Sequence, residues 1–360
     1  MRLAVVGLGR IGQYHAIHAQ EVAKETGGTL TAVVDTNVER AKETAARLSK
    51  NQATPVQPFF SAEEMAAAKV ADGSLVCSPT DCHRANTTAL IRAGQRVILE
   101  KPLTGTLADD REFAQQLDRD FPNAVMLAFQ RRFDAPLQHA KQLMKDGAIG
   151  RVFKIVSILE DSNPAPDGYM SGGILPDMSV HNVDEILWLC DGRMPVAAAA
   201  IGSCLHSRKL STAVEDFDDA YMHLWFEGEF GAQVQVSRNH VSGYRVETWI
   251  FGETGQIHIG HFEQRYRDVV VEVYGKRPAT TPIEQKTYTM PEYGAGAPEF
   301  MDRFGPAYKT ELLEFVRKCE SGEPFDVTHR DGVRAMEVID AAMRGLIDPA
   351  NGARVTSVIR

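Results

Sequence analysis

The stretch "RLAVVGLGRIG", residues 2 to 12, constrains this chain most. A β-branched run leads into Gly7, Gly9 and Gly12, spaced G-x-G-x-x-G, and a helical pattern follows from Ile11. Gly7 suits a tight turn, Gly9 lets a pyrophosphate approach the backbone, and Gly12 lets helix pack closely on strand. The N–H groups of the helix start, around Arg10 and Ile11, then meet the negative charge. The next strand-like run, "LTAVVD", ends in Asp35, whose carboxylate can accept hydrogen bonds from the adenosine ribose hydroxyls. NAD is therefore expected over NADP, because a 2′-phosphate would be repelled by Asp35. Arg10 and Arg40 are the residues that would neutralise such a phosphate.

Through about residue 125 the pattern alternates strand-like and helical stretches: "RLAVVG", "LTAVVD", "GSLVCS", "RVILEKP" and "AVMLAF" are separated by helices starting near Ile11, Val38, Cys82 and Leu107. Such alternation implies parallel strands with crossover helices on both faces. Local signals agree, since "SAEE" at 61 to 64 is a capping box and Gly94 stands where a helix C-terminal cap belongs. Beyond Asp134 the runs "RVFKIVSIL", "AAAAIGSCL", "AYMHLWF", "GAQVQVSR", "VETWIFG" and "QIHIG" follow one another with short joints, which predicts a largely antiparallel sheet. Helices are expected at 306–319 and 331–344. The expected division is a doubly wound α/β domain over 1–125 and an α+β domain over 126–360.

A formal charge of −9 disfavours nucleic acid and anionic membranes, and no apolar run is long enough to span a bilayer. The chain opens directly into a strand pattern without a signal-peptide signature, so a cytoplasmic location is expected. The five cysteines are odd in number and contain no CxxC, which argues for reduced thiols. Neither "EDFDD" at 215 to 219 nor "HIGH" at 258 to 261 has a convergent ligand set, and no metal is expected. Small molecules are the partner class.

Two segments carry candidate chemistry. "ILEKPLT", 98 to 104, puts Glu100, Lys101 and Pro102 at the C-terminal end of a parallel strand, the edge where ligands bind in open α/β sheets. "PDMSVHNVDEILWL", 176 to 189, reads as an amphipathic helix with Asp177, His181 and Asp184 together on one face. Two structural readings stay open here: Asp177 as an N-cap, and His181 with Asp184 as a satisfied pair.

The order of G-x-G-x-x-G, "EKP", "AFQRRFD" at 128 to 134, "SGG" at 171 to 173 and "DMSVH…D" at 177 to 184 resembles the glucose-fructose oxidoreductase/inositol dehydrogenase (Gfo/Idh/MocA) family. "SRNHVSGYRVETWIFGETGQI" at 237 to 257 and "FMDRFGPAYKTELLEFV" extend the likeness over nearly the whole chain. The resemblance implies an N-terminal Rossmann domain, a C-terminal α+β domain with a large, open, mostly antiparallel sheet, and a homodimer or homotetramer. It also implies an NAD-dependent oxidation of a secondary alcohol on a cyclic polyol or sugar, with Lys101, Asp177 and His181 at the reacting carbon. Imidazole suits removal of the hydroxyl proton at neutral pH, and the lysine can stabilise the developing alkoxide.

By the same resemblance Ser78, Pro79, Thr80 and His83 line the cofactor path, although His83 reads equally well as a helix-start residue contacting backbone; Glu100 at the strand edge and Gln130, after the last strand of the first domain, are expected on the cofactor side as well. Arg131, Asn163 and Tyr244 are the further substrate contacts, and Arg132 is read as a partner of Asp134. "GYRVE" departs from the "GYDQR" of inositol dehydrogenases, which leaves the polyol open. The competing enzyme class is redox-neutral sugar chemistry, epimerisation or glycoside cleavage, with tightly held NAD. A nucleotide-sensing module would have no need of Lys101, Asp177 and His181.

Overall fold

The computed structural model describes residues 1–162, 172–203, 217–260, 267–276, 280–294 and 296–346. The chain divides into two compact units, Met1–Gln130 with Tyr308–Val333, and Arg131–Ala307 with Arg334–Arg360.

In the first unit the order is β1 (Arg2–Val6), α1 (Arg10–Glu25), β2 (Thr29–Val34), α2 (Val38–Ser49), β3 (Gln57–Phe59), α3 (Ala62–Ala68), β4 (Gly73–Val76), α4 (His83–Arg92), β5 (Arg96–Glu100), α5 (Leu107–Asp120) and β6 (Val125–Ala128). The six strands form one sheet in the order β3-β2-β1-β4-β5-β6, and every pairing is parallel. The inner strands are continuous apolar runs because both faces are covered: Val97, Ile98 and Leu99 of β5 are all buried. Each contributes about 1.5–3 kcal/mol by leaving water.

Helix starts follow their capping residues. Asn37 accepts from Arg40 N, Ser61 from Glu64 N and Thr106 from Asp109 N. The capping box at Ser61 closes through Phe60, whose N–H donates to Glu64 Oε2 at 3.0 Å. Gly94 follows α4 with φ +86°, as its expected capping role requires.

The expected boundary at 125/126 is incomplete, because the chain returns to the first unit over Tyr308–Val333. That segment covers the β6 edge: Leu127 N donates to Val327 O, Met126 pairs with Thr328, and Phe325 N donates to Asn123 Oδ1. An open edge strand would otherwise present unpaired backbone groups.

The second unit contains α6 (Ala135–Lys145), β7 (Val152–Glu160), α7 (Val180–Leu189), β8 (Ala197–Ser203), β9 (Asp219–Phe226), β10 (Phe230–Ser237), β11 (Arg245–Gly252), β12 (Gln256–Gly260), β13 (Asp268–Tyr274) and β14 (Glu284–Thr289). Two further helices, α8 (Glu299–Ser321) and α9 (His329–Arg344), are divided between the units. The eight strands run β14-β13-β12-β11-β7-β10-β9-β8, antiparallel except for the β7–β10 pair. β14 carries no apolar alternation and is mostly exposed, so pairing with β13 alone makes it a strand. Helix α8 begins seven residues before its expected start and accommodates Pro306. Among the described residues no helix is long and apolar enough to cross a membrane.

Candidate active site

In the first unit the glycine loop has the geometry its spacing requires. Gly7 has φ +92°, and a Cβ there would lie 2.6 Å from the Cys77 carbonyl carbon. A Cβ on Gly12 would lie 2.0 Å from Gly7 O, whereas a Cβ on Gly9 would meet nothing within 4 Å. Gly7 and Gly12 are thus demanded by packing, and Gly9 by the open space outside the loop. Helix α1 has Gly9 as N-cap, no side-chain cap and no acidic residue in its first turn. A helix start of this kind, with no side-chain cap and no acidic residue, is the geometry that suits an anion.

Asp35, directly after β2, is buried and shapes the same loop. Its Oδ2 accepts from Leu8 N at 2.9 Å, its Oδ1 from Asn37 N at 2.8 Å, and Arg40 Nη1 lies 3.4 Å from Oδ2. These donors keep the carboxylate facing the loop with acceptor capacity to spare, so the residues fit the adenosine end of a dinucleotide.

The turns after β4 and β5 are stapled by His83. Its Nδ1 lies 2.8 Å from Pro102 O and its Nε2 2.9 Å from Ser78 O. Burial draws the imidazole below its ordinary range, against the opposing effect of the two carbonyls. Both ring nitrogens face backbone carbonyls within the unit, and the one that carries the proton donates, the backbone contact expected of a helix-start residue. Ser78 keeps its hydroxyl at the turn, where Oγ accepts from Asn86 Nδ2 at 2.9 Å, and Pro79 and Thr80 follow at the entrance to α4.

Glu100, at the end of β5, is held from two sides within the unit. Its Oε1 lies 2.8 Å from His15 Nε2 and its Oε2 accepts from Lys101 N at 3.2 Å. Burial pushes this carboxyl up, but the hydrogen bond and charge of His15, together with Lys101 and His83, bring it below the usual carboxylate range. Lys101 itself is half-buried at the end of β5, as expected of a residue on the ligand edge. Gln130 is buried in a short 3-10 turn after β6.

In the second unit a π-type turn, Leu175–Ser179, leads directly into α7. Such turns widen the helix locally and recur at functional sites. Asp177 lies in the π turn and His181 in the first turn of α7, both half-buried among mostly buried neighbours. Asp177 is no N-cap: its Oδ2 accepts from Arg238 Nη2 at 3.2 Å, and Arg238 is buried.

Asp184 does not share an open face with them. It is buried and holds Arg132 by two bonds, to Nε at 3.0 Å and Nη2 at 2.5 Å. Arg132 therefore does not pair with Asp134, which instead binds Arg303 Nη1 at 2.7 Å and Nη2 at 2.9 Å.

Arg131, expected to face the ligand, is buried with Nη1 on Glu185 Oε2 at 2.6 Å. Glu185 Oε1 also accepts from Thr248 Oγ1 and Ser157 Oγ, which ties α7 to β7 and β11. Tyr244 is buried, and burial pushes its phenol up, so it stays a neutral donor and acceptor. Asn163 lies outside the described residues.

The reading of the sequence missed His15, Glu185 and Arg238. His15 had a signal, a polar residue on the buried face of α1. Glu185 and Arg238 had none, since their partners are distant in the chain.

A parallel sheet in 3-2-1-4-5-6 order, with the glycine loop after its first strand and Asp35 after its second, defines a dinucleotide-binding Rossmann domain. Comparison with known proteins narrows the class. Residues 1–125 match the oxidoreductase family model with an NAD-binding Rossmann fold, and residues 137–258 match the GFO/IDH/MocA C-terminal domain. The chain is 30% identical over 352 residues to a myo-inositol 2-dehydrogenase of Thermotoga maritima, covering 96% of each. It is 26% identical over 344 residues to the scyllo-inositol 2-dehydrogenase (NAD(+)) of Bacillus subtilis, covering 95% of this chain and 93% of that one. A solved myo-inositol dehydrogenase of Corynebacterium glutamicum matches with a TM-score of 0.77 at 25% identity, covering 96% of each chain. The chain belongs to the GFO/IDH/MocA family.

Proposed function

We propose that this protein oxidises a secondary hydroxyl of a cyclic polyol of the inositol class to a ketone, with NAD as the partner. The observation that carries the reading is its end-to-end likeness to inositol dehydrogenases, including a myo-inositol 2-dehydrogenase and a scyllo-inositol 2-dehydrogenase (NAD(+)). That likeness comes with a lysine directly after β5 and with a half-buried Asp177 in the π turn and a half-buried His181 in the first turn of α7.

The loop from Gly7 to Gly12 and the start of α1 hold the pyrophosphate, and Asp35 holds the ribose hydroxyls. NAD, when bound, supplies the hydride acceptor. His181 takes the hydroxyl proton, a task matched to imidazole near neutral pH. Lys101 donates to the same oxygen and stabilises negative charge as it develops there. Asp177, held by Arg238, orients the substrate or the imidazole. Tyr244 completes the substrate side, and the buried Arg131–Glu185 pair supports α7 from behind.

A homo-oligomer joined through the large sheet fits Tyr221, Trp225 and Ile201. They are exposed on one face of β8 and β9, with Ile201 opposite Tyr221 in register.

The test is a mixture of purified protein, NAD and single inositol isomers or aldoses, followed at the NADH absorbance. Free NADH with at least one isomer is expected. Substrate conversion without net NADH would replace this reading with redox-neutral sugar chemistry.

A further inference from the structure

Helix α1 buries two histidines, His15 and His18, on the face that packs within the first unit. His15 is 3% exposed, and its Nδ1 makes no hydrogen bond among the described residues. Its polar attachment is therefore the 2.8 Å contact from Nε2 to Glu100 Oε1. A carboxylate only accepts, so Nε2 is the donor. The plane of the ring is fixed by Tyr308, which meets it edge-on with centroids 5.3 Å apart at 87°.

On its far side Glu100 accepts the backbone N–H of Lys101. The sequence of contacts is His15 to Glu100 to the main chain of Lys101, all within one compact unit. Val97 to Leu99 fix the strand up to this point, but the carboxylate of Glu100 can rotate about its own side chain unless something grips it. His15 is that grip.

We infer that His15 is a positioning residue for Lys101: by orienting the Glu100 carboxylate it sets the main chain from which the lysine projects. The same helix that opens toward the cofactor pyrophosphate thus also places the lysine. The inference rests on the reading of Lys101 as the donor to the reacting oxygen. Misplacement of a reacting group by about 1 Å can cost on the order of 10²-fold in rate, so a lost grip should act on turnover more than on cofactor binding.

The test compares the full-length wild type with His15→Leu, His15→Gln, Glu100→Gln and Lys101→Met, using the inositol isomer that yields NADH. His15→Leu should lower kcat by about 10-fold or more and leave KM for NAD within about 3-fold. Hydrogen exchange at the Lys101 amide should speed up in the same variant, a readout independent of turnover. His15→Gln, whose amide N–H reaches nearly the same point, should restore most of the rate and the slow exchange. Glu100→Gln, which cannot accept from both neighbours at once, should resemble His15→Leu and stands in for it if that variant does not fold.

Folded His15→Leu, or Glu100→Gln in its place, with wild-type kcat and exchange would overturn the inference, whatever its thermal midpoint. A His15→Gln enzyme as slow as His15→Leu would overturn it too, since bulk rather than the donor would then decide. Lys101→Met with wild-type turnover would instead sink the reading of the lysine itself, which keeps the two failures apart.

Discussion

Arg238 Nη2 donates to Asp177 Oδ2 at 3.2 Å, joining the end of β10 to the π turn before α7. Two residues far apart in the chain thereby fix one carboxylate in the turn that leads into α7. Replacing Arg238 with Met leaves that carboxylate without its cation. Turnover should fall by about 10-fold or more, and stability by about 1–3 kcal/mol for a largely buried charged hydrogen bond. Arg238→Lys should recover part of the stability and less of the rate, because a point charge does not reproduce the planar fork. Steady-state kinetics with urea unfolding of both variants checks this, and a wild-type rate in Arg238→Met would count against a positioning role.

His181→Ala removes the proposed base without touching the glycine loop. NAD binding, followed by fluorescence titration, should stay within a few fold, and kcat should drop by about 10² or more. Unchanged turnover would refute the assignment.

Asp35→Ser removes the charge that disfavours a 2′-phosphate and leaves Arg40 nearby. The preference for NAD over NADP, measured as the ratio of kcat/KM values, should narrow. Because Asp35 also accepts from Leu8 N, the KM for NAD should rise as well. An unaltered ratio would mean that the ribose is recognised elsewhere.

The buried Arg131–Glu185 pair predicts an asymmetric stability effect. Arg131→Met leaves the Glu185 carboxylate buried and unpaired, at a cost of about 3–5 kcal/mol. The double variant Arg131→Met, Glu185→Met should regain much of that loss, since both charges are then gone. Chemical denaturation of the two proteins separates the outcomes, and additive losses would argue against direct coupling.

Asp110 provides a pH signature. Its Oδ1 accepts from Thr104 N and Oγ1, and burial pushes its carboxyl up to about 6. With the folded value raised above the ordinary ~3.9, the group's stabilisation is complete below that value and lost as pH rises through about 6. Asp110→Asn keeps an acceptor for Thr104 and removes the ionisation. Variant and wild type should match near pH 4, and the variant should be more stable by about 1–3 kcal/mol at pH 7. A constant difference across that range would rule out ionisation of Asp110 as its source.

Features carried by a few neighbouring residues were legible in the sequence. The glycine spacing specifies a turn that tolerates no Cβ at Gly7 or Gly12. The capping box at Ser61 satisfies an N–H only three residues away, and alternating strand and helix patterns imply a parallel sheet. The position of Lys101 directly after β5 follows from the apolar strand before it. What only the tertiary structure decided is the use of each polar group once folded. Glu100 and His83 turned inward to hold the main chain, Asp184 took Arg132 and left Asp134 to Arg303, and Arg131 went to Glu185. The return of Tyr308–Val333 to the first sheet belongs with these. Such pairings join residues distant along the chain, and their energy comes from satisfying groups that burial has cut off from water; no local pattern encodes which partner burial will bring within reach.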